Sequence, residues 1–387
     1  MRKTTTKLAD GRELIYYDED GAAPREAVDR RPLEPAADRA EVRRDPTTGD
    51  HVTIAAHRQA RTYHPPADQC PLCPSAEGRL SEIPAEDYDV VVFENRFPSL
   101  SAGAFEGDPA DLVHPVDPAG QAPATTPSPY RAAPGIGRCE VVCFTSEHDA
   151  SFAGIGEAKA RRVLDAWTDR TAELSALPGV RQVYCFENRG AEIGVTLAHP
   201  HGQIYAFPFV TARTARMIER AAEHRARTGR NLFEDLLAAE HADPVRVVIT
   251  GRHWTAFVPF AARWPYEVHL QPNRRVADLT RLTEDERAEF PRIYLDLLRR
   301  FDRIFTEDGP DADPGHNERA QPTPYIAAWH QAPALHGEEL ALHLELFTIR
   351  RTVGRLKFLA GTESGMDAFI NDVSPEAAAH RLREVAQ

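Results

Sequence analysis

Strand, helix, strand, strand: the same succession is written twice along these 387 residues. In the first copy Val141-Val142-Cys143-Phe144 reads as a strand, and a helix over about 157–177 carries Ala160, Val163, Trp167, Leu174 and Leu177 on one face. A strand at 182–186 follows, then Ile204-Tyr205-Ala206-Phe207, introduced by His199-Pro200-His201-Gly202-Gln203. In the second copy 266–270 is a strand, and Thr283 and Glu286 form a capping box. Phe290, Ile293, Leu297, Phe301 and Ile304 then share one helix face, with a kink expected at Pro291. Strands at 325–329 and around His343-Leu344-Glu345 close this copy. The pattern predicts an α+β fold of two related halves, in which His343-x-Glu345 stands where the first half has His199-x-His201.

The halves are expected at 41–212 and 213–387, behind an N-terminal extension, residues 1–40, with a hairpin turning at Asp10-Gly11. Stretches at 101–134 and 307–322 are crowded with Pro, Gly and Asp and read as surface loops. A formal net charge of −13 argues against a general nucleic-acid or anionic-membrane surface, so an anionic substrate needs locally placed cations. No apolar run approaches the roughly 18 residues of a membrane span. No apolar segment follows Met1-Arg2-Lys3, so no secretory signal is expected. Five cysteines, an odd number, do not suggest a disulfide framework. A cytoplasmic protein is expected.

Cys70-Pro71-Leu72-Cys73 is a knuckle able to present two thiolates to one tetrahedral ion. Cys139, Cys143 and Cys185 read as small buried apolar residues, so histidines must complete the set, with His148 and His199 the best placed. His199 and His201, two apart in extended backbone, share a face; histidine serves as nucleophile, proton carrier or metal ligand. His57 and His64 read as surface residues.

The knuckle, Phe186-Glu187-Asn188-Arg189-Gly190 with Gly194, and His199-Pro200-His201-Gly202-Gln203 together resemble the galactose-1-phosphate uridylyltransferase family, a branch of the histidine-triad nucleotidyltransferase superfamily. The likeness runs over about 40–385, through Ala56-His57-Arg58-Gln59-Ala60-Arg61, Trp329-His330-Gln331-Ala332-Pro333 and Arg355-Leu356-Lys357-Phe358-Leu359-Ala360-Gly361-Thr362-Glu363. It implies two tandem histidine-triad-like halves, with a mainly antiparallel half-barrel sheet and helices outside. By the resemblance His201 attacks the α-phosphorus of UDP-glucose, glucose 1-phosphate leaves, and galactose 1-phosphate takes the uridylyl group. His199 is then a ligand of one Zn2+, or iron, with Cys70, Cys73 and His148. Gln203, Thr196 and Gly194 are expected at the phosphoryl oxygens, Arg58 and Arg61 as phosphate counter-charges, and Asn95 and Asn188 at uridine or ribose. Lys357, Phe358, Gly361 and Glu363 are expected at the hexose phosphate, reaching across a homodimer.

Three departures stand out. Thr196-Leu197-Ala198 replaces the Ser-Asn-Pro that many members carry before the histidine pair. Some members hold a second, structural metal on one glutamate and three histidines. Here His330 and His343 match, Glu345 replaces the third histidine, and Met217 stands at the glutamate, with Glu219 nearby. These replacements argue against a second ion. The segment 101–134 is also longer than the pattern requires. Two other readings remain: an ADP-sugar or dinucleoside-polyphosphate phosphorylase or hydrolase of the same superfamily, and a non-catalytic zinc-knuckle binding module.

Overall fold

The structure is a computed structural model that describes residues 1–34, 40–59, 65–101, 114–115, 128–305, 322–335 and 337–386. Its centre is one antiparallel sheet of eleven strands: β1 Arg2–Lys7, β2 Glu13–Asp18, β3 Val90–Glu94, β4 Arg138–Cys143, β5 Gln182–Arg189, β6 His201–Phe207, β7 Val247–Thr250, β8 Trp254–Phe257, β9 Val268–Pro272, β10 Tyr325–His330 and β11 His343–Phe347. The spatial order is β1-β2-β3-β4-β6-β5-β10-β11-β9-β8-β7. It reads as two mirrored halves: β3, β4, β6 and β5 answer β8, β9, β11 and β10, and the halves join where β5 pairs with β10, from Arg189↔Tyr325 to Phe186↔Ala328. The expected duplication is thus present as one open sheet.

Among the described residues six helices accompany it: α1 Glu157–Ser175, α2 Ala212–Thr228, α3 Leu232–Ala242, α4 Glu284–Arg303, α5 Gly361–Met366 and α6 Pro375–Glu384. Side chains alternate along β6, so Gly202, Ile204 and Ala206 are buried while His201, Gln203 and Tyr205 face the other side. Ile204 and Ala206 join Val163 and Trp167 of α1 and Phe290, Ile293 and Leu297 of α4 in one large core. Burying several such side chains, at about 1.5–3 kcal/mol each, fixes which sheet face receives helices and which is left for chemistry. The capping box of α4 is formed, Thr283 N–H donating to Glu286 at 2.7 Å, and the helix continues through Pro291 as one element. Leu177 lies beyond the end of α1 and is exposed, unlike the other apolar residues of the expected helix face.

One expectation is corrected. The hairpin at Asp10-Gly11 belongs to no loose extension: β2 pairs with β3, and Leu14, Ile15, Tyr16 and Tyr17 are almost wholly buried. In the second half His343, like His201, is the first residue of its strand, and Glu345 follows two residues on. Within 101–134, Arg131–Pro134 is a strand of a small four-stranded sheet. Most of that stretch and of 307–322 lies outside the described residues.

Candidate active site and metal centre

Three distant segments meet on the open face of the first half. The Cys70–Cys73 loop packs on β2, β3 and β4 through Leu14, Tyr16, Val91 and Phe93, His148 follows the end of β4, and His199 precedes β6. The ligand atoms of Cys70, Cys73, His148 and His199 lie within 4.8 Å of one another. Cys73 Sγ is 3.3 Å from His148 Nδ1 and 3.5 Å from His199 Nδ1. A tetrahedral ion with Zn–S near ~2.3 Å and Zn–N near ~2.0 Å requires sulfur and nitrogen about 3.5 Å apart.

The second nitrogen of His199 supports the same use. Its Nε2 lies 2.8 Å from the Thr145 carbonyl, which can only accept, so Nε2 carries the proton and Nδ1 presents its lone pair to the sulfurs. Tyr88 Oη is 2.7 Å from Nε2 and donates to the Leu72 carbonyl at 2.9 Å, tying histidine to knuckle. Burial holds His199 down to about 4, with His148 and His201 adding to it, so the ring is neutral. Burial, then the neighbouring Cys70 sulfur, push the Cys73 thiol up to about 11. A cation between the sulfurs would reverse that shift. Cys139, Cys143 and Cys185 are free and buried, as expected of apolar filler.

His201 begins β6 with its Nδ1 2.8 Å from the His199 carbonyl. The carbonyl must accept, so Nδ1 carries the proton and Nε2 keeps the lone pair. Burial also lowers the basicity of this ring, opposing the cationic form. Gly202 is needed for packing rather than for ligand access: a Cβ there would stand 2.8 Å from the Phe186 carbonyl and 2.9 Å from the Phe144 ring.

His201 sits at the junction of two lobes, which share Pro65, Thr196 and Leu197. One, about 400 Å³, is walled by apolar Leu72, Phe93, Phe97 and Val141, with Asn95 and Gln203 among its polar residues beside Gln69, Glu82 and Arg96. Gln203 Oε1 accepts from Tyr205 at 3.3 Å, which leaves the amide N–H groups to donate. The other, about 450 Å³, is walled by Ser151 and by Glu187 to Glu192 with Val195. Asn95 lines the first lobe and Asn188 the second, on either side of His201. Gly194 adopts φ +82° at the end of the Ala191–Ile193 turn and so lets the chain enter Val195-Thr196.

The remaining expected residues are placed otherwise. Arg58 donates to the Ser99 hydroxyl and lines neither lobe, while Arg61 and His64 lie outside the described residues. His57, expected at the surface, is half-buried with Nε2 2.9 Å from the Pro98 carbonyl. Lys357 and Glu363 are buried and bind each other at 2.5 Å, away from this chain's own cleft. Phe358 is 73% exposed, and Gly361 opens the short helix α5 on the surface. Phe97, Leu72 and Tyr88 were not singled out by the sequence, because isolated apolar residues in a loop carry no periodic signal.

Known proteins resemble this chain along its whole length. Residues 31–211 match the N-terminal domain, and 217–387 the C-terminal domain, of galactose-1-phosphate uridyl transferase. A Streptomyces lividans galactose-1-phosphate uridylyltransferase is 53% identical, covering 100% of this chain and 98% of the relative. A Thermotoga maritima enzyme of that name is 34% identical over 89% of this chain and 98% of its own length. A solved uridylyltransferase structure superposes with a TM-score of 0.72 at 28% identity, covering 89% of this chain and 98% of that one.

Proposed function

The chain belongs to the galactose-1-phosphate uridylyltransferase family, and from that premise we propose how its own residues carry the reaction between UDP-glucose and galactose 1-phosphate. His201 Nε2 attacks the α-phosphorus of UDP-glucose, the bond to the bridging oxygen breaks, and glucose 1-phosphate leaves with that electron pair. A phosphate oxygen of galactose 1-phosphate then attacks the same phosphorus, the P–N bond breaks, and UDP-galactose forms. The observation that carries this reading is the anchoring of His201: with Nδ1 donating to the His199 carbonyl, Nε2 is the nitrogen left to react.

The ring gains positive charge as the P–N bond forms, and the His199 carbonyl dipole opposite Nδ1 favours that charge. Thr196 and the Gln203 amide supply donors to the phosphoryl oxygens where both lobes meet. The apolar lobe suits the uracil ring, with Asn95 for the sugar hydroxyls, and the lobe at Asn188 suits the hexose phosphate.

Cys70, Cys73, His148 and His199 are the residues to hold one Zn2+, iron being the alternative; the two-sulfur, two-nitrogen donor set favours zinc. Such an ion supplies rigidity, pinning the residue two before the nucleophile. Exposed Phe358, Leu359, Met366 and Ile370 support a homodimer in which this segment meets a second copy. A cytoplasmic setting fits five free, buried cysteines. Among the described residues no helix is long and apolar enough to cross a membrane.

The test is turnover. Purified protein given UDP-glucose and galactose 1-phosphate is expected to form UDP-galactose. No product there, with phosphate-dependent cleavage of ADP-glucose instead, would replace this reading by the phosphorylase one.

A further inference from the structure

The second half gathers a cluster of its own, apart from the cleft. His343 stacks on His330 with ring centroids 5.0 Å apart, and His269 stands 5.0 Å from His343 on the other side. Glu345 Oε2 lies 3.5 Å from His330 Nε2 and 3.6 Å from His269 Nε2, and Glu267 Oε1 lies 3.2 Å from the same His269 nitrogen. The ligand atoms of Glu267, His269 and Glu345 fall within 4.8 Å of one another. By residue type this imidazole–carboxylate set could take a divalent first-row ion.

Its hydrogen bonds are committed elsewhere. Arg213 reaches in from α2 and grips Glu345 with both arms, Nη1 to Oε1 at 3.1 Å and Nη2 to Oε2 at 2.5 Å. Glu267 Oε2 accepts the backbone N–H groups of Arg263 at 2.6 Å and Trp264 at 3.1 Å, while its Oε1 faces His269. His343 Nδ1 donates to the Ala341 carbonyl at 3.0 Å.

The helix offers no reason of its own for an arginine here. Arg213 lies in the first turn of α2, where the helix dipole disfavours a cation and where no acidic residue stands. Met217, one turn further on the same face, supplies no carboxylate, and Glu219 is exposed and paired with Arg220. A divalent ion placed against Glu345 would have to displace a bidentate guanidinium.

We infer that Arg213 is the built-in cation of the second half, its guanidinium standing where a metal ion would otherwise join Glu345 and the histidines. The cluster then holds α2 against β9, β10 and β11 with no ion, independently of any reaction at His201.

Metal content per chain of the full-length protein, by inductively coupled plasma mass spectrometry after equilibration with Zn2+ and desalting, tests this. Wild type and Glu345→Gln are expected to hold the same number of ions, and Arg213→Ala one more than wild type. Without added ion, Arg213→Ala is expected to melt about 5 °C lower, as a buried carboxylate loses its partner. Loss of one ion in Glu345→Gln, or no extra ion in Arg213→Ala, overturns the inference. Should either variant fail to fold, the double variant Cys70→Ser, Cys73→Ser decides: no remaining ion supports the inference, and one remaining ion refutes it. Because the readout at Glu345 is a difference between variants, it is unaffected if the Cys70–His199 site is empty.

Discussion

His201 and His343 open equivalent strands of the two halves and are anchored alike. Each donates through Nδ1 to the carbonyl two residues upstream, at 2.8 Å to His199 and 3.0 Å to Ala341. Beyond that shared anchor everything differs. His201 is half-buried between two open lobes of about 400 and 450 Å³. His343 is 4% exposed, stacked on His330 and overlain by Phe233 of α3 at 6.2 Å. The segment before β6 is tied to a thiolate–imidazole site, whereas β11 is tied to a guanidinium. A histidine with the right tautomer is therefore common to both halves, and what its second nitrogen faces separates a nucleophile from a packed core residue.

The largest expected effect breaks that comparison directly. His201→Asn should lower UDP-galactose formation by at least about 10^4-fold, the scale on which a lost covalent nucleophile is felt. His343→Asn should leave kcat within a few-fold when measured on the folded fraction. Comparable losses in both would mean that the second half takes part in the chemistry.

Gly202 sharpens it next. Only the first half brings a neighbouring backbone carbonyl within 2.8 Å of where a Cβ would be, and a carbonyl in a strand cannot yield as a side chain does. Gly202→Ala should cost about 1–3 kcal/mol of unfolding free energy in urea titration. An unchanged midpoint would show that β5 and β6 are not packed as tightly as described.

The join between the halves supplies the smallest effect. Glu187 of β5 is buried beneath the second lobe, accepts from Tyr325 of β10 at 3.1 Å, and faces Arg189, Asp302 and Tyr294. Burial raises its carboxyl to about 7 from the ordinary 4.5, against the pull of Arg189. The folded state thus holds this proton more tightly than the unfolded chain. Wild type should lose stability as pH rises from about 4.5 to about 7 and lose no more from this group above that. Glu187→Gln removes the loss, so the variant should gain about 1 kcal/mol relative to wild type at pH 8 compared with pH 6. Equal differences at both pH values in urea unfolding would contradict a raised Glu187.

Much of this was legible in the chain itself. The doubled succession of elements gave the two halves, because buried faces repeat at helical or strand spacing. The metal set was reachable by elimination: a Cys-x-x-Cys needs two further donors, and few histidines stand near strand ends. Three things were not legible. Whether His343 or Glu345 answers His201 depends on strand register, and the two candidate alignments differ by a shift that keeps every side chain on its face. Arg213 was missed because an arginine on an amphipathic helix looks solvent-facing until the partner strand is placed. That Lys357 and Glu363, six residues apart, pair with each other carries no periodic signal of its own.

The central claim is that the first-half histidine with a free Nε2 carries the reaction. It is tested most directly by intact-protein and peptide mass spectrometry after incubation with UDP-glucose alone. One uridylyl group per chain, on the peptide containing His201 and absent from His201→Asn, is the predicted result. An unmodified protein that nonetheless makes UDP-galactose, or a label on the peptide containing His343, would contradict it.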